Sequence, residues 1–78
     1  MNMEAIEKFG SIAAARKSAL LTQPEMAERI GCTTQALLEW EKNPEKLRIK
    51  DLVAIYENVG ADGKAIIEKY VDDLFLAA

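Results

Sequence analysis

The sequence predicts an all-α protein folded as one domain. Apolar residues recur at spacings of three and four, whereas strict alternation, the mark of a half-buried strand, is nowhere sustained. Half of the 78 residues are hydrophobic and 29% are charged, the profile of a folded helical chain rather than a disordered tail. Only two prolines and four glycines punctuate it. That length suits a single domain, 1–78, near the lower limit for a self-sufficient core.

A short leading turn is expected over residues 3–9, with Ile6 and Phe9 as its apolar side. Gly10-Ser11 interrupts, and Ser11 can cap a helix over 12–20 whose inner face would be Ile12, Ala15, Arg16 and Ala19. The next helix starts at Thr22-Gln23-Pro24-Glu25. Thr22 and Glu25 have capping-box spacing, while Pro24 prefers the first helical position, so the start is fixed to within a residue. This helix turns Met26, Ala27 and Ile30 inward and stops at Gly31. A third, capped by Thr33 or Thr34, runs to about Lys42 with Leu37 and Trp40 on its buried side. Asn43-Pro44 ends it. After a basic loop, Ile49, Leu52, Val53, Ile55, Tyr56 and Val59 mark a fourth helix ending at Gly60. A last helix, 62–76, follows Asp62 as its cap and carries Ile66, Ile67, Tyr70, Val71, Leu74 and Phe75 along one wide stripe.

Several functions find no residues to perform them. Histidine, the commonest general base and metal ligand, is absent. The lone Cys32 allows no intrachain disulfide and no ordinary zinc site, and fits packing better than redox sensing. There is no glycine-rich phosphate loop and no nucleophile elbow. Asp72 and Asp73 are neighbours on a helix and point apart. No enzymatic activity, cofactor, metal or small-molecule ligand is therefore expected. No stretch approaches the roughly 18 apolar residues of a membrane span, and the N-terminus lacks a secretory pattern, so a cytoplasmic protein without a membrane partner is expected.

The net charge of −3 argues at first against nucleic acid. Its distribution softens that. Residues 1–50 hold eight Lys/Arg against seven acids, net +1, and residues 51–78 hold two against six, net −4. Four bases and one acid fall within 42–50.

The stretch QPEMAERIGCTTQALLEW, residues 23–40, shows why a good helix is broken at Gly31. Two short helices that cross steeply need a residue at positive φ in the turn, which glycine adopts freely. They need a small side chain at the closest approach, supplied by Ala27. They also need apolar residues to fill the angle between them, and Met26, Ile30, Cys32, Leu37 and Trp40 fall there. All these positions are met, which predicts a helix-turn-helix at residues 23–42. An ordinary helical hairpin, with Gly31 as a simple helix stop, is the plainer alternative.

TQPEMAERIGCTTQALLEWEK, followed by a loop and LVAIYENVG, resembles the lambda-repressor-like class of helix-turn-helix regulators, also called the Cro/repressor or XRE family. The resemblance covers roughly residues 11–60. It implies a compact bundle of about five helices whose third helix enters the DNA major groove. It also implies that Arg16 pairs with Glu41, against the alternative of two unrelated surface charges. The chain departs from the family pattern at three points. Asn43 stands where glycine is usual, although asparagine also tolerates positive φ. Arg48 replaces the usual small cap of the fourth helix, and the recognition helix has no Lys or Arg before Lys42.

If the third helix docks N-terminus first, the candidate base contacts are Thr33, Thr34, Gln35, Leu38 and Glu39. The Gln35 amide can pair with both N6 and N7 of adenine. Thr34 can bond a base edge or touch a thymine methyl, and Leu38 only the latter. Glu39 can accept from cytosine N4 or repel phosphates. Candidate phosphate contacts are Thr22 and Gln23 at a helix N-terminus, with Lys42, Lys46, Arg48 and Lys50 after the recognition helix. For each base taken alone, solvated surface is an equal alternative.

The terminal stripe exceeds what so small a core needs. Leu74, Phe75 and Leu76 are candidates for a homodimer contact, with pure core packing as the alternative. The expected function is a sequence-specific DNA-binding transcriptional regulator of phage or mobile-element origin that occupies double-stranded operator DNA. The runner-up is a protein-interaction module, an antitoxin or adaptor, built on the same fold.

Overall fold

In the computed structural model, which describes residues 10–77, helix follows helix with no strand among the described residues. The order is α1 (Ser11–Ser18), α2 (Gln23–Ile30), α3 (Thr34–Lys42), a 3-10 turn (Pro44–Lys46), α4 (Ile49–Glu57) and α5 (Gly60–Ala77). The leading turn expected over 3–9, with Ile6 and Phe9, lies outside the described residues. α5 packs along α1 and α4, α2 against α3 and α4, and α3 against α1. Ile12, Met26, Leu37, Ile55 and Val59 are sealed where these helices converge. Each such side chain contributes about 1.5–3 kcal/mol by leaving water. No helix among the described residues is long and apolar enough to cross a membrane.

The first helix begins one residue earlier than expected. Gly10, not Ser11, precedes it, at φ 85°, and Ser11 is its buried first residue. A Cβ at Gly10 would stand 3.1 Å from the Glu41 carbonyl oxygen, so closeness and backbone angle both call for glycine. α1 also stops short of 20. Leu20 N–H donates to the Lys17 carbonyl at 3.0 Å and Leu21 N–H to the Arg16 carbonyl at 3.3 Å, a closure that puts Leu20 at φ 60°. Leu20 is 90% exposed, so packing returns nothing for the left-handed strain. Leu20→Gly should therefore raise stability by about 0.5–1 kcal/mol, after allowing for glycine's larger loss of chain entropy. The urea midpoint measures it, and a lowered midpoint would refute the assignment of strain.

Thr22 opens α2 with a complete capping box. Its hydroxyl accepts from Glu25 N–H at 3.2 Å, and the Glu25 carboxylate accepts from Thr22 N–H at 2.8 Å. Those bonds hold the Glu25 carboxyl below its ordinary pKa. α2 ends as predicted at Gly31, φ 75°, where Cys32 N–H reaches back to the Ala27 carbonyl at 3.0 Å. Of the two threonines, Thr33 caps α3, its hydroxyl accepting from Ala36 N–H at 3.0 Å.

Past α3 the expectations need correction. Asn43 does not use a left-handed conformation; it sits at φ −132° and closes α3 by donating its N–H to the Glu39 carbonyl at 2.8 Å. Arg48, in keeping with its departure from the family's small cap, gives α4 no side-chain cap; it binds Asp51, at 3.0 Å. Ile49 and Val53 lie on the solvent side of α4 rather than in the core. α4 ends at Glu57, leaving the buried Val59 in the connection, and Gly60 rather than Asp62 begins α5. Tyr70 is half-buried, and that burial raises its hydroxyl pKa.

Candidate nucleic-acid interface

The left-handed turn at Gly31 and the 2% exposed Ala27 let α2 and α3 pack against each other. Met26 and Leu37 fill the angle between them, and Ile30, Cys32 and Trp40 pack on the edge of the core. Burial raises the Cys32 thiol pKa, in keeping with a packing role.

A polar hub fixes the far end of α3. Arg16 and Glu41, both more than nine-tenths buried, form a two-point pair with Nε–Oε2 2.7 Å and Nη2–Oε1 3.3 Å. Arg16 Nη1 also donates to the Leu21 carbonyl at 2.8 Å, and Gln23 Nε2 donates to Glu41 Oε1 at 2.9 Å. Among the described residues no buried side-chain polar atom lacks a partner. The hub thus ties α1, the turn after it, α2 and α3 into one unit. The pairing expected from the resemblance is present. The part taken by Gln23 had no signal beyond its place at a helix start.

The outer face of α3 carries the expected base-contact residues with unequal freedom. Gln35 is exposed, and its amide has no protein partner among the described residues. Thr34 and Leu38 are half-buried, while Thr33 is exposed with its oxygen engaged as the cap. Glu39 is not free: it accepts from Lys46 at 2.8 Å and from Asn43 at 3.1 Å. The Lys46 ammonium holds the Glu39 carboxyl below its usual pKa, and the carboxylate raises that of Lys46.

The phosphate candidates divide in the same way. Thr22 is exposed but engaged in the capping box, and the Gln23 amide is turned onto Glu41. With Pro24 lacking an N–H, the Gln23 backbone N–H is the first-turn donor left to an incoming anion. Lys42 and Lys50 are exposed; Lys46 and Arg48 are exposed with carboxylate partners. Such surface pairs contribute about 0–1 kcal/mol and can be exchanged for another anion.

Two packed helices joined at a left-handed glycine, the second with an exposed outer face, have the framework of a helix-turn-helix. The sequence model of a family described as "Helix-turn-helix" matches residues 12–57, more than half of the chain. The chain belongs to that family, the lambda-repressor-like (XRE/Cro-like) helix-turn-helix proteins, a family of DNA-binding transcription regulators. Comparison with curated proteins and with solved structures gave no match.

Proposed function

We propose that this chain is a sequence-specific regulator that occupies an operator through α3 in the major groove. The exposure of Gln35 at the start of α3, on a helix fixed from behind by the Arg16–Glu41 hub, carries the reading. Gln35 reads a base, with Thr34 and Leu38 beside it and Thr33 at the helix start. The Gln23 N–H, Thr22, Lys42, Lys46, Arg48 and Lys50 engage phosphates. Operator occupancy of this kind would regulate by steric exclusion of polymerase. A cytoplasmic protein of phage or mobile-element origin fits this reading.

Gln35→Ala should lose about 1–3 kcal/mol of preference at one base pair, and Lys46→Ala should weaken binding about equally across sequences. Sequences selected from a random duplex pool, followed by titration at two salt concentrations, check both. A flat salt response or an unchanged preference in Gln35→Ala overturns the mode of reading.

The same reading needs a symmetric pair to span two half-sites. In support, Leu74, Phe75 and Leu76 are exposed at the end of α5, with Phe75 79% accessible. Beside them a groove of about 250 Å³ runs between α4 and α5, lined by Leu52, Val53, Tyr56, Ile67 and Val71. Sedimentation should give a dimer mass for the wild type and a monomer for Leu74→Lys/Phe75→Lys. A wild-type monomer at all concentrations removes the dimer. An adaptor or antitoxin role is the second reading, favoured by Glu68 and Asp72 on that groove. Failure to bind any duplex at low salt would put it ahead.

A further inference from the structure

We infer that Glu39 is the internal counter-anion of Lys46, which the ammonium must exchange for a DNA phosphate, rather than a reader of bases. The inference rests on the DNA-binding reading above and gives one residue of that surface a positioning role.

Both partners of the Glu39 carboxylate come from beyond the end of α3. Lys46 Nζ and Asn43 Nδ2 share the same Oε1, at 2.8 and 3.1 Å. The Asn43 backbone N–H adds a bond to the Glu39 carbonyl. The carboxylate is therefore drawn toward the loop and away from Thr34 and Gln35, one turn earlier on the helix. Both bonds fall on Oε1, and a cytosine reader would need the remaining Oε2 directed outward rather than held with the carboxylate against the loop.

The pair is also open to displacement. Arg48, the other paired base of the loop, binds an Asp51 that is largely covered and lies in the first turn of the same helix. Glu39 and Lys46 instead remain 44% and 58% accessible and are joined across seven residues. An approaching phosphate meets an ammonium already held in place, in competition with a carboxylate that binds it only weakly. Every duplex has to make that exchange. Only one that also satisfies the base-reading residues offsets it, so Glu39 subtracts from indiscriminate binding.

The test is a double-mutant cycle of the full chain on random-sequence duplex, with the wild type, Glu39→Gln, Lys46→Met and the double variant. Glutamine keeps the length and the Asn43 bond, and thermal melts of each variant establish that it is folded. Glu39→Gln should bind random duplex about fivefold more tightly, the upper range for an exposed pair. Lys46→Met should then weaken the Glu39→Gln protein about fivefold more than it weakens the wild type. Equal effects of Lys46→Met in both backgrounds overturn the inference and leave Glu39 as a repellent acting at a distance. Unchanged random binding with a new base preference overturns it in favour of a reader. A wild type that binds no duplex at the lowest salt overturns the DNA-binding reading itself, whereas a binding wild type with additive substitutions overturns only this inference.

Discussion

Glu41→Ala is expected to lower the unfolding free energy by about 3–5 kcal/mol, because it strands a buried guanidinium. A chain of this length has roughly 4–12 kcal/mol in total, so the loss removes from about a quarter to all of its stability. The reason is visible in the hub. Glu41 accepts two bonds from Arg16 and one from Gln23. Without it, Arg16, more than nine-tenths buried in the native fold, keeps only the Leu21 carbonyl as a partner. Arg16→Met/Glu41→Leu should recover much of the loss, since apolar side chains of similar size often replace a buried pair without harm. Recovery should be incomplete, because the Leu21 carbonyl and the Gln23 amide lose their partners. Urea unfolding followed by circular dichroism decides it. A Glu41→Ala protein within 1 kcal/mol of wild type, as an order of magnitude, would mean the pair behaves as surface charge.

Gly63→Val is the second large effect, a destabilisation of about 3 kcal/mol, with Gly63→Ala at about 1–2. Helix propensity alone predicts the opposite, because alanine is favoured over glycine by about 1 kcal/mol inside a helix. Space decides the sign. A Cβ on Gly63 would lie 2.4 Å from Val59 Cβ, 2.6 Å from Val59 Cγ2 and 3.1 Å from the Ala15 carbonyl oxygen. Two of those atoms belong to a side chain sealed in the core, and the third is backbone. The residue is buried where α5 meets α1, so relief requires the helices to separate. Thermal melting measures it, and a raised melting temperature for Gly63→Ala would show that α5 can shift freely.

The helix-turn-helix was legible because its constraints are local. A capping box spans four residues, and a left-handed turn with a small residue four positions earlier is written within one stretch. The bounds that slipped depended on distant neighbours. Asp62 has the chemistry of a cap, yet α5 starts at Gly60, and Val59 lies directly over Gly63. Ile49 and Val53 have core chemistry and helical spacing, but α4 turns that side to solvent. Asn43 was expected to tolerate a left-handed turn, and its bonds to Glu39 close α3 without one. Leu20 was unreadable for a related reason: nothing in its type announces the left-handed closure of α1. At the candidate interface, residue types selected Gln35 and Glu39 together. Separating them needed the loop geometry that carries Lys46 seven residues back onto the helix.

The hub behind α3 bears on how a duplex would be met. Guanidinium, carboxylate and carboxamide join three helices at one point, so any rocking of α3 would have to carry α1 and α2 with it. Compliance then has to come from the double helix, whose stiffness varies with its base steps. Bases never touched by a side chain should influence occupancy through how readily the site bends.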